Sequence, residues 1–425
     1  MSEEEFEELI RPDSLDFLAD HLTDDPEKIS LKYYKESLPI RAISEQIYCY
    51  KKAVNKIPLL AKRGILFERV ALEQSSCESA AKYKSSLLQG ESIIDLTGGL
   101  GIDDIFISQN FKQLLYCEQD ALRVKLFEYN IKHLGISNIK VICGDSVCIL
   151  SSFSDKYFSW IYADPSRRDG SKRLVGLQNC SPDIISNIDI LLKKAENILI
   201  KASPALELEE VRKQIKFLKE FIVVSVDNEC KEILLLISNK GIDELAANDV
   251  MINDQIDDDS HDKDAKLIVR AVLINSNSGE TKQYSLPYSP KRVQRNAVAK
   301  VPQKYFYEPD AAIIKSRLTE TLLRERPLLF INANVDYLTS DELITDFPGR
   351  IFQIVKVMPY KKQTLKEYLN SLSIDKANIA RRDFPDAPEI IRKNLKLKDG
   401  GQYYLFFTKD INNKLIVIIS LKVKL

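Results

Sequence analysis

The sequence predicts an α/β protein: an N-terminal helical region, a doubly wound and mostly parallel sheet, then small α+β modules. Three observations predict it. Four apolar runs in succession, at 93–94, 113–117, 139–143 and 158–163, each close on polar residues, as parallel strands facing one crevice do. Residues 1–90 carry helical periodicity and little strand character. Beyond Pro302, strand-like and helix-like segments alternate in short β-α-β-β units.

Taken in order, residues 38–55 place Ala42, Ile43, Ile47 and Tyr48 on one apolar helix face. Pro58 has no amide donor, so it breaks that helix or starts the next. Ser75 followed by Glu78 fits a helix N-cap with its partner three residues on. Gln74, Ser75 and Ser76 equally suit the roof of a ligand pocket, since they stand just upstream of the first strand. That strand ends on Asp95 and breaks into Leu96-Thr97-Gly98-Gly99-Leu100-Gly101, with a helix-like segment at 104–110. Glycines there let the backbone turn sharply and approach a ligand closely. The second run ends on Glu118, where a doubly wound sheet presents an acid to a ribose. The third closes on Gly144-Asp145-Ser146 and the fourth on Asp164-Pro165-Ser166-Arg167-Arg168. A nucleoside-type cofactor bound across these strand ends is the expectation.

Further along, 187–195 reads as a helix, 197–201 as a fifth strand and 206–219 as another helix. Runs at 221–226 and 232–237 form a hairpin at the sheet edge. The stretch 253–265 is acidic and of low complexity, a solvated loop. Strand-like 267–274 and 283–286 follow. Residues 305–315 open a helix with Asp310 in its first turn, and 351–357 is a strand. The tail reads helix 365–372, strand 377–381, helix 387–394, then closing strands at 403–408 and 415–423.

Composition narrows the class. At 425 residues the chain exceeds one core, and two to four domains are expected. Its 44% hydrophobic content permits ordinary globular cores, and no apolar run reaches the ~18 residues that span a bilayer. The opening Met1-Ser2-Glu3-Glu4-Glu5 is acidic, unlike a signal peptide. Seven scattered cysteines form no C-x-x-C pair, and His21, His133 and His261 lack metal-ligand spacing. The expectation is a cytoplasmic, reduced, metal-free protein. Net charge is −1, but residues 291–425 hold 25 basic and 15 acidic side chains. The basic C-terminal third suggests a polyanion as partner; the bland alternative is lysines solvating strand edges.

The ordered set Asp95-Leu96-Thr97-Gly98-Gly99-Leu100-Gly101, Glu118, Asp145 and Asp164-Pro165 resembles the class I S-adenosylmethionine-dependent methyltransferases. A dinucleotide fold would prefer G-x-G-x-x-G, and the Asp103-Asp104 pair after Gly101 would repel a pyrophosphate. S-adenosylmethionine has no phosphate and carries cationic groups. With Glu308-Pro309-Asp310, Phe347-Pro348-Gly349-Arg350, Arg381-Arg382-Asp383-Phe384-Pro385 and Lys398-Asp399-Gly400-Gly401, the chain resembles a bacterial branch with ferredoxin-like and THUMP-like C-terminal domains. That resemblance implies a Rossmann-like, seven-stranded methyltransferase domain at 91–290, a ferredoxin-like domain at 291–358 and a THUMP-like domain at 359–425. It implies an RNA substrate, tRNA or rRNA; the alternatives are a small molecule or protein substrate, or a cofactor-binding RNA-binding protein without turnover.

It also implies roles. Asp95, with Thr97, Gly99 and Gly101, holds the methionine end of S-adenosylmethionine. Glu118 accepts both ribose hydroxyls, and Asp145 meets the adenine amino group beside Ser146. Asp164-Pro165 stands where amino-methylating relatives orient the acceptor, but Ser166 replaces a second proline and Arg167 an aromatic ring. Ser166, Arg167 and Arg168 would then meet the substrate, the arginines as phosphate donors. The alternative pairs Arg167 or Arg168 internally with Asp103 or Asp169.

Overall fold

A computed structural model describes residues 1–167, 177–238, 267–289, 295–324 and 326–424. Arg168 and the acidic loop 253–265, both singled out above, lie outside the described residues. Two units emerge: Met1–Ile222 with Lys231–Leu267, and Val223–Cys230 with Ile268–Leu425.

The first unit begins with helices α1 (Glu3–Leu9), α2 (Pro12–His21), α3 (Pro26–Lys32) and α4 (Ile40–Lys56). Of the apolar face expected on α4, Ala42, Ile43 and Ile47 are at 0% exposure, whereas Tyr48 is only half-buried and Cys49 is buried beside them. Pro58 starts α5 (Pro58–Lys62), its missing amide donor costing nothing in a first turn. Then come α6 (Arg69–Gln74) and α7 (Glu78–Leu87). The cap expected from Ser75 does not form: Cys77 occupies the N-cap of α7 without a side-chain bond, and Ser75 Oγ donates to the Leu72 carbonyl. Glu78 instead accepts from the Leu59 amide at 2.7 Å, tying α7 to α5.

The sheet domain follows as β1 (Gly90–Asp95), α8 (Ile102–Ile107), β2 (Phe111–Glu118), α9 (Ala121–Leu134), β3 (Ile139–Cys143), α10 (Ser146–Ser151) and β4 (Phe158–Ala163). A two-stranded ribbon, β5 (Ser166–Arg167) with β6 (Cys180–Ser181), leads to α11 (Ile184–Lys194) and β7 (Ala195–Ala202). Last are α12 (Leu208–Gln214), β8 (Leu218–Val226) and β9 (Glu229–Ser238). Strand order is β3-β2-β1-β4-β7-β9-β8. The first five pair in parallel, and β9 runs antiparallel to β7. This is the seven-stranded Rossmann-like arrangement, with the order reversing at β1, where α/β folds place ligands. The helix read at 206–219 is shorter than expected: from Leu218 on, the apolar run is drawn into the sheet as β8.

In the second unit, β10 (Ile268–Ile274) and β11 (Thr281–Pro287) form a hairpin. Val223–Val226 lie beside β10, Ser225 Oγ reaching the Val272 carbonyl at 3.3 Å and the Asp227 amide that of Ile274 at 3.0 Å. The hairpin read at 221–237 therefore does not end its sheet. Beyond it run β12 (Tyr305–Pro309), α13 (Ala311–Lys315), β13 (Leu329–Phe330), β14 (Leu338–Ser340), β15 (Gly349–Pro359), α14 (Lys362–Ser371), β16 (Asn378–Arg381), α15 (Pro388–Leu395), β17 (Tyr403–Lys409) and β18 (Leu415–Lys422). They build a sheet ordered β13-β14-β12-β15-β18-β17-β16. Residues 305–309 are thus a strand rather than the start of a helix, because Tyr305, Phe306 and Tyr307 pair with both β14 and β15. The helix begins only after Asp310, whose side chain accepts from the Ala312 amide at 2.8 Å. Leu405 and Phe407 pack with Leu365, Leu369, Ile391 and Leu395 of α14 and α15, while Phe406 joins Phe306, Tyr337 and Phe352 in a separate cluster. Alternate side chains of β17 thus serve two cores.

Candidate active site

The carboxyl ends of the first unit's parallel strands open on a cavity of about 610 Å³, a volume typical of small-molecule sites. Its floor is the glycine loop. Gly101 takes φ +70° and caps α8. A Cβ on Gly101 would lie 2.0 Å from the Phe127 ring, and one on Gly98 2.3 Å from Tyr116. Those two rings stack 4.1 Å apart under the loop, so packing alone requires both glycines. Gly99 differs: a Cβ there would meet nothing nearer than 3.5 Å. Its bare backbone is where a ligand can approach.

Asp95 ends β1 buried, its Oδ1 accepting from the Thr97 amide at 2.7 Å and the Thr97 hydroxyl at 2.9 Å. Thr97 Oγ1 in turn accepts from the Asp164 amide at 2.6 Å, coupling the ends of β1 and β4. Burial pushes the Asp95 carboxyl up to about 7. Asp104 of α8 is held well above the usual carboxylate range by burial and by the charge of Asp95. Burial and the mutual repulsion of the two carboxyls both favour the protonated form. The Asp103-Asp104 pair is therefore not a free anionic patch: Asp104 is 1% exposed, and Asp103 is neutralised as described below.

Glu118 also reaches the cavity. Its Oε2 accepts from the Gly99 amide at 2.9 Å, and Oε1 from the Gln119 and Asp120 amides at 2.7 and 2.9 Å. Of about four acceptor sites on a carboxylate, three are taken, which leaves Oε2 room for one hydroxyl. Asp145 is not among the residues that line the cavity, although Gly144 and Ser146 are. It caps α10 through the Cys148 amide at 2.8 Å, and that bond holds its carboxyl below the usual range despite some burial. Gln74, Ser75, Ser76 and Ser166 line the cavity. Arg167 is placed by its backbone in the β5–β6 ribbon, opposite Cys180.

A charged network that the sequence reading missed lies behind Asp164. Asp164 pairs with Lys201, at the carboxyl end of β7, and both face the cavity. Lys84 of α7, at 0% exposure, donates to Glu232 of β9 at 2.7 and 2.9 Å and to Ser76 at 2.8 Å, and stands 3.2 Å from Asp103. Asp103 Oδ2 also accepts from Ser76 at 3.0 Å and Tyr162 at 2.7 Å. Burial raises the Asp103 carboxyl, but Lys84 and Lys201 outweigh it and keep it below the ordinary value. Burial pulls the Lys201 ammonium down, and Asp164, Glu232 and Asp103 more than reverse that. Asp103 Oδ2 thus accepts twice, while Oδ1 stands 3.2 Å from Lys84. One signal for Lys201 was available: a cation closing the apolar run 198–200.

The network sets three carboxylates, Asp103, Asp164 and Glu232, against two ammonium groups, Lys84 and Lys201. The surplus negative charge suits a cationic, phosphate-free nucleoside and would repel a pyrophosphate. When bound, S-adenosylmethionine supplies an activated methyl group. Gly99, Glu118 and the end of β1 line the cavity and are the groups that would hold it.

Comparison with known proteins agrees. Residues 349–422 match a THUMP domain-like family model. An uncharacterized S-adenosylmethionine-dependent methyltransferase of Mycobacterium tuberculosis is 20% identical over 354 residues, covering 81% of this chain and 84% of that protein. A crystal structure from Porphyromonas gingivalis W83, assigned as a methyltransferase, superposes with a TM-score of 0.72 at 25% identity, covering 96% of this chain and 97% of that one. Fold, site and relatives define a class I S-adenosylmethionine-dependent methyltransferase. More particularly, it is one that carries a THUMP-like domain at its C-terminal end.

Proposed function

We propose that this enzyme methylates RNA, either tRNA or rRNA. The observation that carries the reading is the THUMP-like match at 349–422, set within a C-terminal third that holds 25 basic and 15 acidic residues. The resemblance implies that such modules dock structured RNA. The domain limits proposed with it are 91–290 for methyl transfer, 291–358 for a ferredoxin-like module and 359–425 for the THUMP-like one. The cytoplasm is the compartment this reading requires; among the described residues no helix is long and apolar enough to cross a membrane.

In this reading Asp95, Thr97, Gly99 and Gly101 form the methionine end of the cofactor site, and Glu118 takes a ribose hydroxyl on Oε2. Ser146 stands at the adenine end, where the exposed Asp145 acts through its helix cap. Asp164, with Pro165, orients the acceptor, and Ser166, Arg167 and Arg168 meet the substrate backbone. Glu118→Ala should weaken S-adenosylhomocysteine binding by about 1–3 kcal/mol, since the loop amides lose their acceptor as well. Wild-type affinity by calorimetry would remove Glu118 from the site.

Salt titration tests the substrate class. RNA affinity should fall linearly with log[salt], and Arg167→Ala should flatten that slope by about one unit. An affinity indifferent to salt would point to a small-molecule or protein substrate instead.

A further inference from the structure

The charge network says more about the atom that is methylated than the strand-end motif does. A base amine needs an acceptor for its N–H and a flat ring to stack on. Here one oxygen of Asp164 is committed to Lys201. Tyr162 is the one aromatic side chain lining the cavity among the described residues, and it is 1% exposed with its hydroxyl turned to Asp103. Among the described residues no ring face is offered there for stacking, and Ser166 and Arg167 stand where the sequence pattern of amine methylation has proline and an aromatic. Electrostatics points the same way. Attack by a hydroxyl that is losing its proton builds negative charge on oxygen, which the ammonium beside Asp164 stabilises.

We propose that the acceptor is a hydroxyl oxygen, the ribose 2′-OH of an RNA nucleotide, and that Lys201 is the residue that positions Asp164 to take its proton. This rests on the RNA reading above. The oxygen–carbon bond to the methyl forms as the carbon–sulfur bond breaks, its electron pair passing to sulfur. The hydroxyl proton passes to the Asp164 carboxylate and from there to water. The products are a 2′-methyl ether and neutral S-adenosylhomocysteine. Thr97 fixes the backbone of Asp164 and Lys201 fixes its carboxylate. Glu232 and Asp103 keep Lys201 charged from behind, and Lys84 balances both from the buried side. Thr97 and Lys201 thus hold Asp164 directly, and Lys84, Asp103 and Glu232 support Lys201 from α7, α8 and β9.

The test uses the full-length enzyme, methyl-labelled S-adenosylmethionine and total RNA from a strain lacking the gene. Alkali cleaves RNA through the free 2′-hydroxyl, so label should appear in alkali-resistant dinucleotides. Label in mononucleotides would overturn the hydroxyl assignment while leaving RNA methylation standing. No transfer to RNA would overturn the RNA reading, and this inference with it. Lys201→Met should lower kcat by about 100-fold or more while KM for S-adenosylmethionine shifts by less than about threefold. Lys201→Arg, which keeps the charge, should recover part of the rate, and thermal melts on both establish that they fold. An unchanged kcat in Lys201→Met, or no rescue by arginine in a folded protein, would overturn the role given to Lys201.

Discussion

Replacing Lys84 by methionine is expected to lower the free energy of unfolding by about 3–5 kcal/mol, the cost of breaking a buried ion pair from one side. Lys84 is fully buried and holds two carboxylates, Glu232 at 2.7 Å and Asp103 at 3.2 Å. Methionine has similar length and no charge, so the cavity stays filled while both acids lose their counter-ion. Such a loss is a large part of the ~5–15 kcal/mol that stabilises a typical domain. The paired variant Lys84→Met/Glu232→Leu should cost less than the single one, because it removes one of the stranded charges. Urea unfolding of the three proteins decides it. A single variant within about 1 kcal/mol of wild type would mean that the network is solvated and contributes little.

The second large effect is on turnover. Asp164→Ala should reduce methyl transfer by roughly two or more orders of magnitude, since it removes the group that orients the acceptor. Cofactor affinity should hardly change. The loop that binds the cofactor is fixed through Asp95, Thr97 and Glu118, and Thr97 bonds the backbone amide of residue 164 rather than its side chain. Calorimetry with S-adenosylhomocysteine beside single-turnover assays separates the two. Near-normal turnover would remove Asp164 from the chemistry, and a lost affinity would make it a cofactor ligand.

What could be read in advance was what is local. Each parallel strand announces itself by an apolar run of about the right length, and each site residue at a strand end follows within a residue or two. Asp95, Glu118, Ser146 and Asp164 are singled out that way, and all four line the cavity; Asp310, read in a helix's first turn, is instead the N-cap. The segment 305–309 was misread because Tyr-Phe-Tyr has no decisive period over so few residues, and its strand character comes from partners at 338–340 and 349–353. Lys84 and Glu232 lie 148 residues apart, and no spacing rule links them. Lys82 and Lys84 stand two residues apart, yet Lys82 is exposed while Lys84 is wholly buried. Asp145 shows the opposite difficulty: a carboxylate in register with the glycine loop serves first as a helix cap, and its orientation is invisible in sequence.

The central claim is that this pocket methylates RNA through Asp164. The most direct measurement is mass spectrometry of modified nucleosides in total RNA from three strains: one lacking the gene, and the same strain supplied with the wild type or with Asp164→Ala. The account predicts that one methylated nucleoside disappears on deletion, returns with the wild type and stays absent with the variant. Identical nucleoside profiles in all three strains would contradict it.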